Sequence, residues 1–186
     1  MVFNLPNTLT GFRILAVPLV AIVFYLPVPW AGPAACFLFA LAGITDWLDG
    51  YLARRFDQTS NFGAFLDPVA DKLIVSTALV LLVQRDPSLL NTAIAAVIIG
   101  REITVSALRE WMSELGARAH VSVTFFAKWK TTVQIFGISF MLFRYPLFGW
   151  PVYEIGIGLM LIAAALTIWS MLDYLKAAWP IMRGQG

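Results

Sequence analysis

The stretch "ITDWLDGYLARRFDQTSNFGAFLDPVADK", residues 44–72, decides both the fold and the chemistry of this chain. It places Asp46, Asp49, Asp67 and Asp71 beside apolar runs such as "LIVSTALVLLV". Carboxylates close to a membrane interior are costly, and those that persist there usually serve a function. The four aspartates are therefore the first candidates for a functional site.

The rest of the chain is strongly apolar. Of its 186 residues, 60% are hydrophobic and only 13% are charged, whereas a soluble domain carries about a quarter charged residues. This composition predicts an integral membrane protein with a single domain, residues 1–186. The net charge of +2 offers no basic surface for nucleic acid, so we expect no nucleic-acid partner.

Apolar stretches of about 20 residues, the length that crosses a bilayer as a helix, recur along the chain. They cover roughly residues 9–26, 33–55, 65–84, 89–111, 121–143 and 152–175. The leading segment "VFNLPNTLT" is amphipathic and is expected to lie at the membrane interface. The sequence thus predicts an all-α polytopic membrane bundle of six transmembrane helices with an N-terminal interfacial segment.

The distribution of Lys and Arg predicts the orientation of this bundle. Most of the cations fall on one side of it. Arg85 and Arg144 fall in loops on the other side, and Arg101 lies within the fourth span. Cytoplasmic loops of membrane proteins are enriched in Lys and Arg. We therefore expect both termini and the aspartate-rich turn to face the cytoplasm.

The spacing of the aspartates indicates a metal site. Asp46 and Asp49 are three residues apart and share a helix face, and Asp67 and Asp71 are four apart on the next helix. A short turn between the helices would bring the four carboxylates together, where they would repel one another unless cations lie among them. Oxygen ligands without His or Cys favour Mg²⁺ or Mn²⁺ over zinc. Asp46 or Asp49 could instead cap a helix, pair with Arg54 or Arg55, or lie in water at a loop.

The pattern D-x2-D-G-x2-A-R-x8-G-x3-D-x3-D is filled at every fixed position between Asp46 and Asp71. It resembles the signature of the CDP-alcohol phosphotransferases, membrane enzymes that make phospholipids. The resemblance extends to "NLPNTLTGFR", "REITVSALREWMSELG" and "KWKTTVQ", and so covers nearly the whole chain. Within the family, these segments are similar to those of bacterial members that use glycerol 3-phosphate.

The resemblance implies a reaction and its cofactors. Phosphatidyl transfer from CDP-diacylglycerol to glycerol 3-phosphate would give phosphatidylglycerophosphate and CMP. Two divalent cations, Mg²⁺ or Mn²⁺, would be held by Asp46, Asp49 and Asp67, with help from Asp71. Asp71 is also the candidate general base, and its roles as base and as ligand both stay open. The enzyme would be a homodimer in the bacterial inner membrane.

The resemblance also implies a donor site that contacts the nucleotide. Its residues would be Asn7, Thr10, Arg13, Gly50, Ala53, Arg54, Ser60 and Gly63. Two simpler readings stay open: Asn7 or Thr10 could cap the first helix, and Arg54 could be a positive-inside anchor.

The acceptor phosphate calls for several cations facing the aspartates. The candidates are Arg101, Arg109, Arg118, Lys128 and Lys130. Arg101 is the foremost, since an arginine that deep should be paired or bind a ligand. Glu102 points about 100° away on a helix and is expected to be a poor partner for it. The lysines, Lys128 above all, could instead extend to the headgroups.

Two other functions fit the same aspartates. A sibling enzyme that uses another alcohol would share the metal site and differ in its acceptor pocket. A divalent-cation transporter would use the carboxylates for coordination, although such sites usually lie near the bilayer midplane. CMP release from CDP-diacylglycerol separates an enzyme from a transporter.

Overall fold

The structure is a computed structural model that describes the backbone of residues 5–56, 61–114 and 125–182. Within these ranges it describes the side chains of residues 10–45, 66–114, 129–176 and Trp179. The described backbone is all-α. Its helices are α1 (Leu5–Phe24), α2 (Ala31–Phe56), α3 (Asn61–Arg85), α4 (Leu89–Glu114), α5 (Phe125–Phe143) and α6 (Val152–Met182).

These helices follow the expected apolar stretches, with one difference at the N-terminus. The segment expected as a separate interfacial lead-in is mostly part of α1, which begins at Leu5. Pro6 does not prevent this, because proline is tolerated in the first turn of a helix, where its missing N–H would have no helical partner. No break separates this turn from the apolar run that follows.

Two helices of the described chain are long and apolar enough to cross a membrane, α4 and the stretch Val152–Lys176 of α6. In the most apolar 18-residue stretch of each helix, only 33% is buried inside the protein, so most of the surface of that stretch faces outwards. The described side chains of α2 cover a shorter apolar stretch, Ala31–Thr45, and in α3 Asp67, Asp71 and Lys72 lie near the start of the helix. Large apolar side chains are also exposed on other helices, among them Leu15 and Phe37. An outer surface of this kind suits lipid rather than water.

Packing places α1 beside α2 and α3, and α6 beside α4 and α5. The buried core between them contains many small and branched apolar residues, among them Ala16, Ala78, Ile98 and Ile138. α1 and α3 run in the same direction, since Thr10 meets Asp67 at one end and the Phe24 carbonyl accepts a hydrogen bond from Arg85 at the other. The aspartate-rich helix ends therefore lie at one end of the bundle and Arg85 at the opposite end.

Glycines allow α5 and α6 to approach closely. A Cβ atom added at Gly156 would lie 2.8 Å from Cγ of Met141 and 3.0 Å from the Gly137 carbonyl oxygen. A Cβ atom at Gly137 would lie 2.8 Å from Sδ of Met160. Small residues at such crossings let helix backbones pack without intervening side chains.

The connection between α5 and α6 is a tight turn at the end of the bundle that carries Arg85. Leu147 and Trp150 form an isolated antiparallel bridge around Phe148 and Gly149, both of which have positive φ angles, 51° and 82°. The hydroxyl of Tyr145 donates a 2.9 Å hydrogen bond to the carbonyl of Pro29. This bond ties the turn to the α1–α2 connection.

Candidate active site

The helix bounds place the four aspartates at matching depths. Asp46 lies ten residues before the end of α2, and Asp71 lies ten residues after the start of α3. Asp49 and Asp67 are seven and six residues from the same helix ends. α2 and α3 are in contact and are joined only by residues 57–60, so they run antiparallel. The side chains of Asp46 and Asp49 lie outside the described residues, so their contacts stay a prediction.

Asp67 is held by the N-terminal helix. Its Oδ1 accepts a 2.6 Å hydrogen bond from Oγ1 of Thr10, and it forms an ion pair with Nη2 of Arg13 at 3.1 Å. Thr10 and Arg13 are each only 1% exposed, whereas the Asp67 side chain is 45% exposed. Two buried donors on one oxygen fix the orientation of the carboxylate and leave it accessible to a ligand.

This arrangement removes one reading of the N-terminal segment. Thr10 does not cap α1, because it lies inside the helix and its hydroxyl reaches another helix. Asn7 lies in the first turns of α1, and its side chain is outside the described residues. The alternative reading of Asn7 as a cap is therefore not tested.

A partly open cavity of about 220 Å³ lies beside Asp71 and is walled by four helices. α4 contributes Arg101 and Arg109, and α5 contributes Lys130. The other lining residues are Lys72, Val75, Glu102, Thr131, Gln134, Ile135 and Tyr174. The structure thus brings together three of the five acceptor candidates and the candidate base.

A carboxylate joins two of those cations. Oε1 of Glu102 lies 2.8 Å from Nη1 of Arg101 and 2.8 Å from Nζ of Lys130. The expectation that Glu102 is a poor partner for Arg101 is wrong. Although the two Cβ atoms diverge by about 100° around the helix, both side chains are long enough to converge at the cavity, where Lys130 approaches from α5.

Burial separates the three cations into two kinds. Lys130 is 3% exposed and Arg101 is 8% exposed, so neither extends to the headgroups. Arg101 also donates a 3.4 Å hydrogen bond to Oγ of Ser170, and its guanidinium lies 5.9 Å from the ring centre of Tyr174. Arg109 is exposed and makes no ion pair within the described part of the chain.

Several candidates are not tested by the geometry. Ser60 and Arg118 lie outside the described residues. A second group belongs to described helices, although its side chains, where present, are not described: Gly50, Ala53, Arg54, Gly63 and Lys128.

The sequence reasoning missed some residues of the cavity wall. Gln134 lies one helical turn after Lys130, so helical spacing could have identified it. Tyr174 and Ser170 come from α6, more than 60 residues along the chain from Arg101, and no local pattern connects them. Glu102 was considered and set aside, because its partner on α5 could not be seen from helical geometry alone.

The donor set fits divalent cations. The four aspartates offer only oxygen ligands, which suit Mg²⁺ or Mn²⁺, and ligating carboxylates are usually oriented by hydrogen-bond partners, as Thr10 and Arg13 orient Asp67. Among the described side chains no group of three potential metal ligands occurs. The complete set depends on Asp46 and Asp49, whose side chains lie outside that range.

Comparison with known proteins identifies the family of this chain. Residues 3–169 match the family described as CDP-alcohol phosphatidyltransferase. The chain is 51% identical over 178 residues to proteins named CDP-diacylglycerol–glycerol-3-phosphate 3-phosphatidyltransferase from Escherichia coli (strain K12) and from Shigella flexneri serotype 5b (strain 8401). The matched region covers 96% of this chain and 96% of each relative. The chain belongs to the CDP-alcohol phosphatidyltransferase family.

Proposed function

We propose that this protein transfers a phosphatidyl group from CDP-diacylglycerol to glycerol 3-phosphate, giving phosphatidylglycerophosphate and CMP. Its relatives at 51% identity carry the name of this reaction. The observation that carries the proposal is the cavity beside Asp71, which has Arg101, Arg109 and Lys130 in its wall. A carboxylate and a group of cations in one cavity suit an acceptor that has both a hydroxyl to deprotonate and a phosphate to bind.

The acceptor phosphate binds to the cations of the cavity. Arg109 is exposed and presents its guanidinium fork to the phosphate, a geometry that an ammonium group does not offer. Lys130 and Arg101 supply further N–H groups from the buried side of the wall. Arg118 and Lys128, from the adjoining part of the chain, are proposed as further cations that bind this phosphate.

Asp71 accepts the proton of the attacking hydroxyl. It is exposed in the cavity wall on α3 and lies near enough to Lys130 to interact with it electrostatically. A carboxylate within hydrogen-bond reach of the hydroxyl can act as a general base. The deprotonated oxygen then attacks the phosphorus of the donor, and CMP leaves.

The donor pyrophosphate lies at the aspartates. Asp46, Asp49 and Asp67, with Asp71 at the edge, would hold two divalent cations, Mg²⁺ or Mn²⁺. When bound, such ions stabilise charge on the transferring phosphoryl group and on the departing nucleotide. Thr10 and Arg13 keep Asp67 in place for this purpose.

The nucleotide lies against the ends of α1, α2 and α3. Gly50 and Ala53 leave room on the face of α2, and Arg54 pairs with a phosphate. The remaining contacts of this proposal come from Asn7, Ser60 and Gly63, with Thr10 and Arg13 acting at the same place. Of the residues named for the nucleotide site, only Thr10 and Arg13 have side chains within the described part of the chain.

The protein works in the membrane. The outward-facing apolar surface and the length of α4 and α6 support a six-span bundle of one domain, residues 1–186. The excess of Lys and Arg at the aspartate end supports a cytoplasmic active site in the bacterial inner membrane. A homodimer is part of the same proposal through the family resemblance.

An acceptor panel tests the reaction. Purified protein in detergent with CDP-diacylglycerol and Mg²⁺ is given glycerol 3-phosphate, glycerol, serine or inositol phosphate, and CMP release is followed. We expect release with glycerol 3-phosphate and little with the others. Release that depends on another alcohol would assign the chain to a sibling reaction, and no release with any acceptor would contradict the proposal.

A further inference from the structure

Glu102 is a carboxylate of the cavity wall to which the proposed reaction gives no part. Its Oε1 contacts Nη1 of Arg101 on α4 and Nζ of Lys130 on α5, each at 2.8 Å. Two nitrogens at that distance from one oxygen cannot lie more than 5.6 Å apart. A single oxygen atom therefore sets the spacing of two cations that come from different helices.

We propose that Glu102 is a positioning residue for the acceptor phosphate. It holds Arg101 and Lys130 as a preformed pair, so that the phosphate meets donors whose spacing is already fixed. The inference rests on the proposed function, because the acceptor is the phosphate monoester assigned there.

Burial makes this role necessary. Arg101 and Lys130 are almost completely buried, and two cations this close in a protein interior repel each other. A buried charge without a partner is strongly destabilising, so without the carboxylate both side chains would move or draw in water. Glu102 makes it possible for the pair to stay in place before the acceptor arrives.

The cavity retains donors for a ligand after Glu102 has been satisfied. Of the five N–H groups of Arg101, one is directed to Glu102 and one to Ser170. Lys130 has three N–H groups, and one of them is directed to Glu102. Ser170 and Tyr174 on α6 also contact Arg101 and restrict the movement of its side chain.

Glu102 also sets the charge of the site. The charged residues in the wall are four cations and two carboxylates, which leaves a net charge of +2. A phosphate monoester carries close to two negative charges at neutral pH. The wall is thus balanced for a dianion, and Glu102 contributes to this balance as well as to the geometry.

Kinetics of Glu102→Gln and Glu102→Asp test the proposal, with each substrate varied in turn. Glutamine keeps the shape of the side chain and removes its charge. Aspartate keeps the charge, but its side chain is one methylene shorter, so the carboxylate lies further from Arg101 and Lys130. If Glu102 acts by position, both variants should lower kcat/KM for glycerol 3-phosphate by about tenfold to a hundredfold. The KM of CDP-diacylglycerol should not change. Glu110→Gln, an exposed carboxylate two turns further along α4, should behave as wild type.

A double-mutant cycle with Lys130→Met shows whether Glu102 acts through the pair. Residues that act together give non-additive losses, so Glu102→Gln should cost less in the Lys130→Met background than in the wild type. Wild-type kinetics for Glu102→Asp would show that charge alone matters, and additive losses would show that Glu102 acts independently of Lys130. An equal loss for both substrates with a lower thermal midpoint would show a role in folding only. Each of these results overturns the proposal.

Failure of this inference is distinguishable from failure of the proposed function. Wild-type CMP release that depends on glycerol 3-phosphate tests the reaction itself before any variant is made. If that release is present and Glu102→Asp behaves as wild type, the reaction stands and the positioning role does not. Binding of inorganic phosphate, followed as a shift of the thermal midpoint, gives a readout for variants that fold but have no activity. A positioning role predicts a smaller phosphate shift for Glu102→Asp than for wild type, and an unchanged shift contradicts it.

Discussion

Thr10 on α1 donates a 2.6 Å hydrogen bond from Oγ1 to Oδ1 of Asp67 on α3, 57 residues further along the chain. Arg13, one turn later on α1, reaches the same oxygen at 3.1 Å. The N-terminal helix is therefore part of the aspartate site through its contacts. Both donors are buried, so water does not reach them and they stay directed at the Asp67 carboxylate.

Thr10→Val should weaken metal binding. Valine has nearly the same shape as threonine and removes only the hydroxyl that orients Asp67. Loss of a group that orients a ligating carboxylate typically costs tenfold to a hundredfold in metal affinity or activity. We expect the half-saturating Mg²⁺ concentration for CMP release to rise by about that factor. In the matched control Thr92→Val, the lost hydroxyl bonds to the carbonyl of Ser88, the residue just before α4, and an equal shift in this control would contradict the prediction.

Asp46→Asn, Asp49→Asn and Asp67→Asn should each abolish transfer, and the variants should remain folded. A neutral amide cannot replace a carboxylate that holds a divalent cation, since the charge contributes most of the attraction. CMP release at saturating Mg²⁺ measures the effect, and the thermal midpoint in detergent checks the fold. Near-wild-type turnover in any one variant would remove that residue from the metal site.

Arg109→Gln should weaken the acceptor side and spare the donor side. Arg109 is exposed in the cavity wall, and a charge-assisted hydrogen bond to phosphate contributes about 1.5–3 kcal/mol. Its loss should raise the KM of glycerol 3-phosphate by about tenfold to a hundredfold. Steady-state kinetics with each substrate varied measures both sides. Arg144→Gln, at the opposite end of the bundle, serves as the control, and an unchanged acceptor KM in Arg109→Gln would place the phosphate elsewhere.

Arg101 should behave differently from Arg109. It is buried and shared between Glu102 and Ser170, so Arg101→Gln removes a structural contact as well as a proposed donor to the phosphate. We expect a larger rise in the acceptor KM than for Arg109→Gln, together with a lower thermal midpoint. A variant with wild-type stability and wild-type acceptor KM would show that Arg101 supports neither the cavity nor the acceptor.

The sequence predicted the parts of this site that depend on local spacing. The helical spacing of Asp67 and Asp71 and the short connection from α2 to α3 are local properties, and the helix bounds agree with them. The family resemblance assigned Thr10 and Arg13 to the nucleotide, and it did not include their contacts with Asp67. The hydrogen bonds to Asp67 could not be predicted, because they depend on how α1 packs against α3.

The pairing of Glu102 shows why the rest of the site could not be predicted. Helical geometry correctly places its Cβ on a different face from that of Arg101. The contact forms because side-chain length overcomes that angle and because Lys130 on α5 approaches the same point. Prediction of such a contact requires the packing of α4 against its neighbours, and neither composition nor periodicity contains that information.

Phe148→Gly should stabilise the turn between α5 and α6. Phe148 has a φ of 51° and is 93% exposed, so its side chain packs against little while its backbone is strained. Glycine adopts this conformation without steric cost, and relief of one such residue is worth about 1 kcal/mol. We expect a higher thermal midpoint in detergent. Gly149→Ala, with a φ of 82° and open space around the added Cβ, should lower the midpoint for the same backbone reason. A lower midpoint for Phe148→Gly, or a higher one for Gly149→Ala, would contradict the prediction.

Gly156→Ala should destabilise the crossing of α5 and α6. The added Cβ would lie 2.8 Å from Cγ of Met141 and 3.0 Å from both the Gly137 carbonyl oxygen and the Met141 nitrogen. Backbone atoms cannot move aside as a side chain can, so the helices must separate, at a cost of about 1–3 kcal/mol. The thermal midpoint in detergent should fall by roughly 2–4 °C for each kcal/mol. Gly158→Ala is the matched control, because it lies on the same helix and nothing lies within 4 Å of its added Cβ. Equal midpoints for the two variants would show that close approach at Gly156 does not limit the stability of this helix pair.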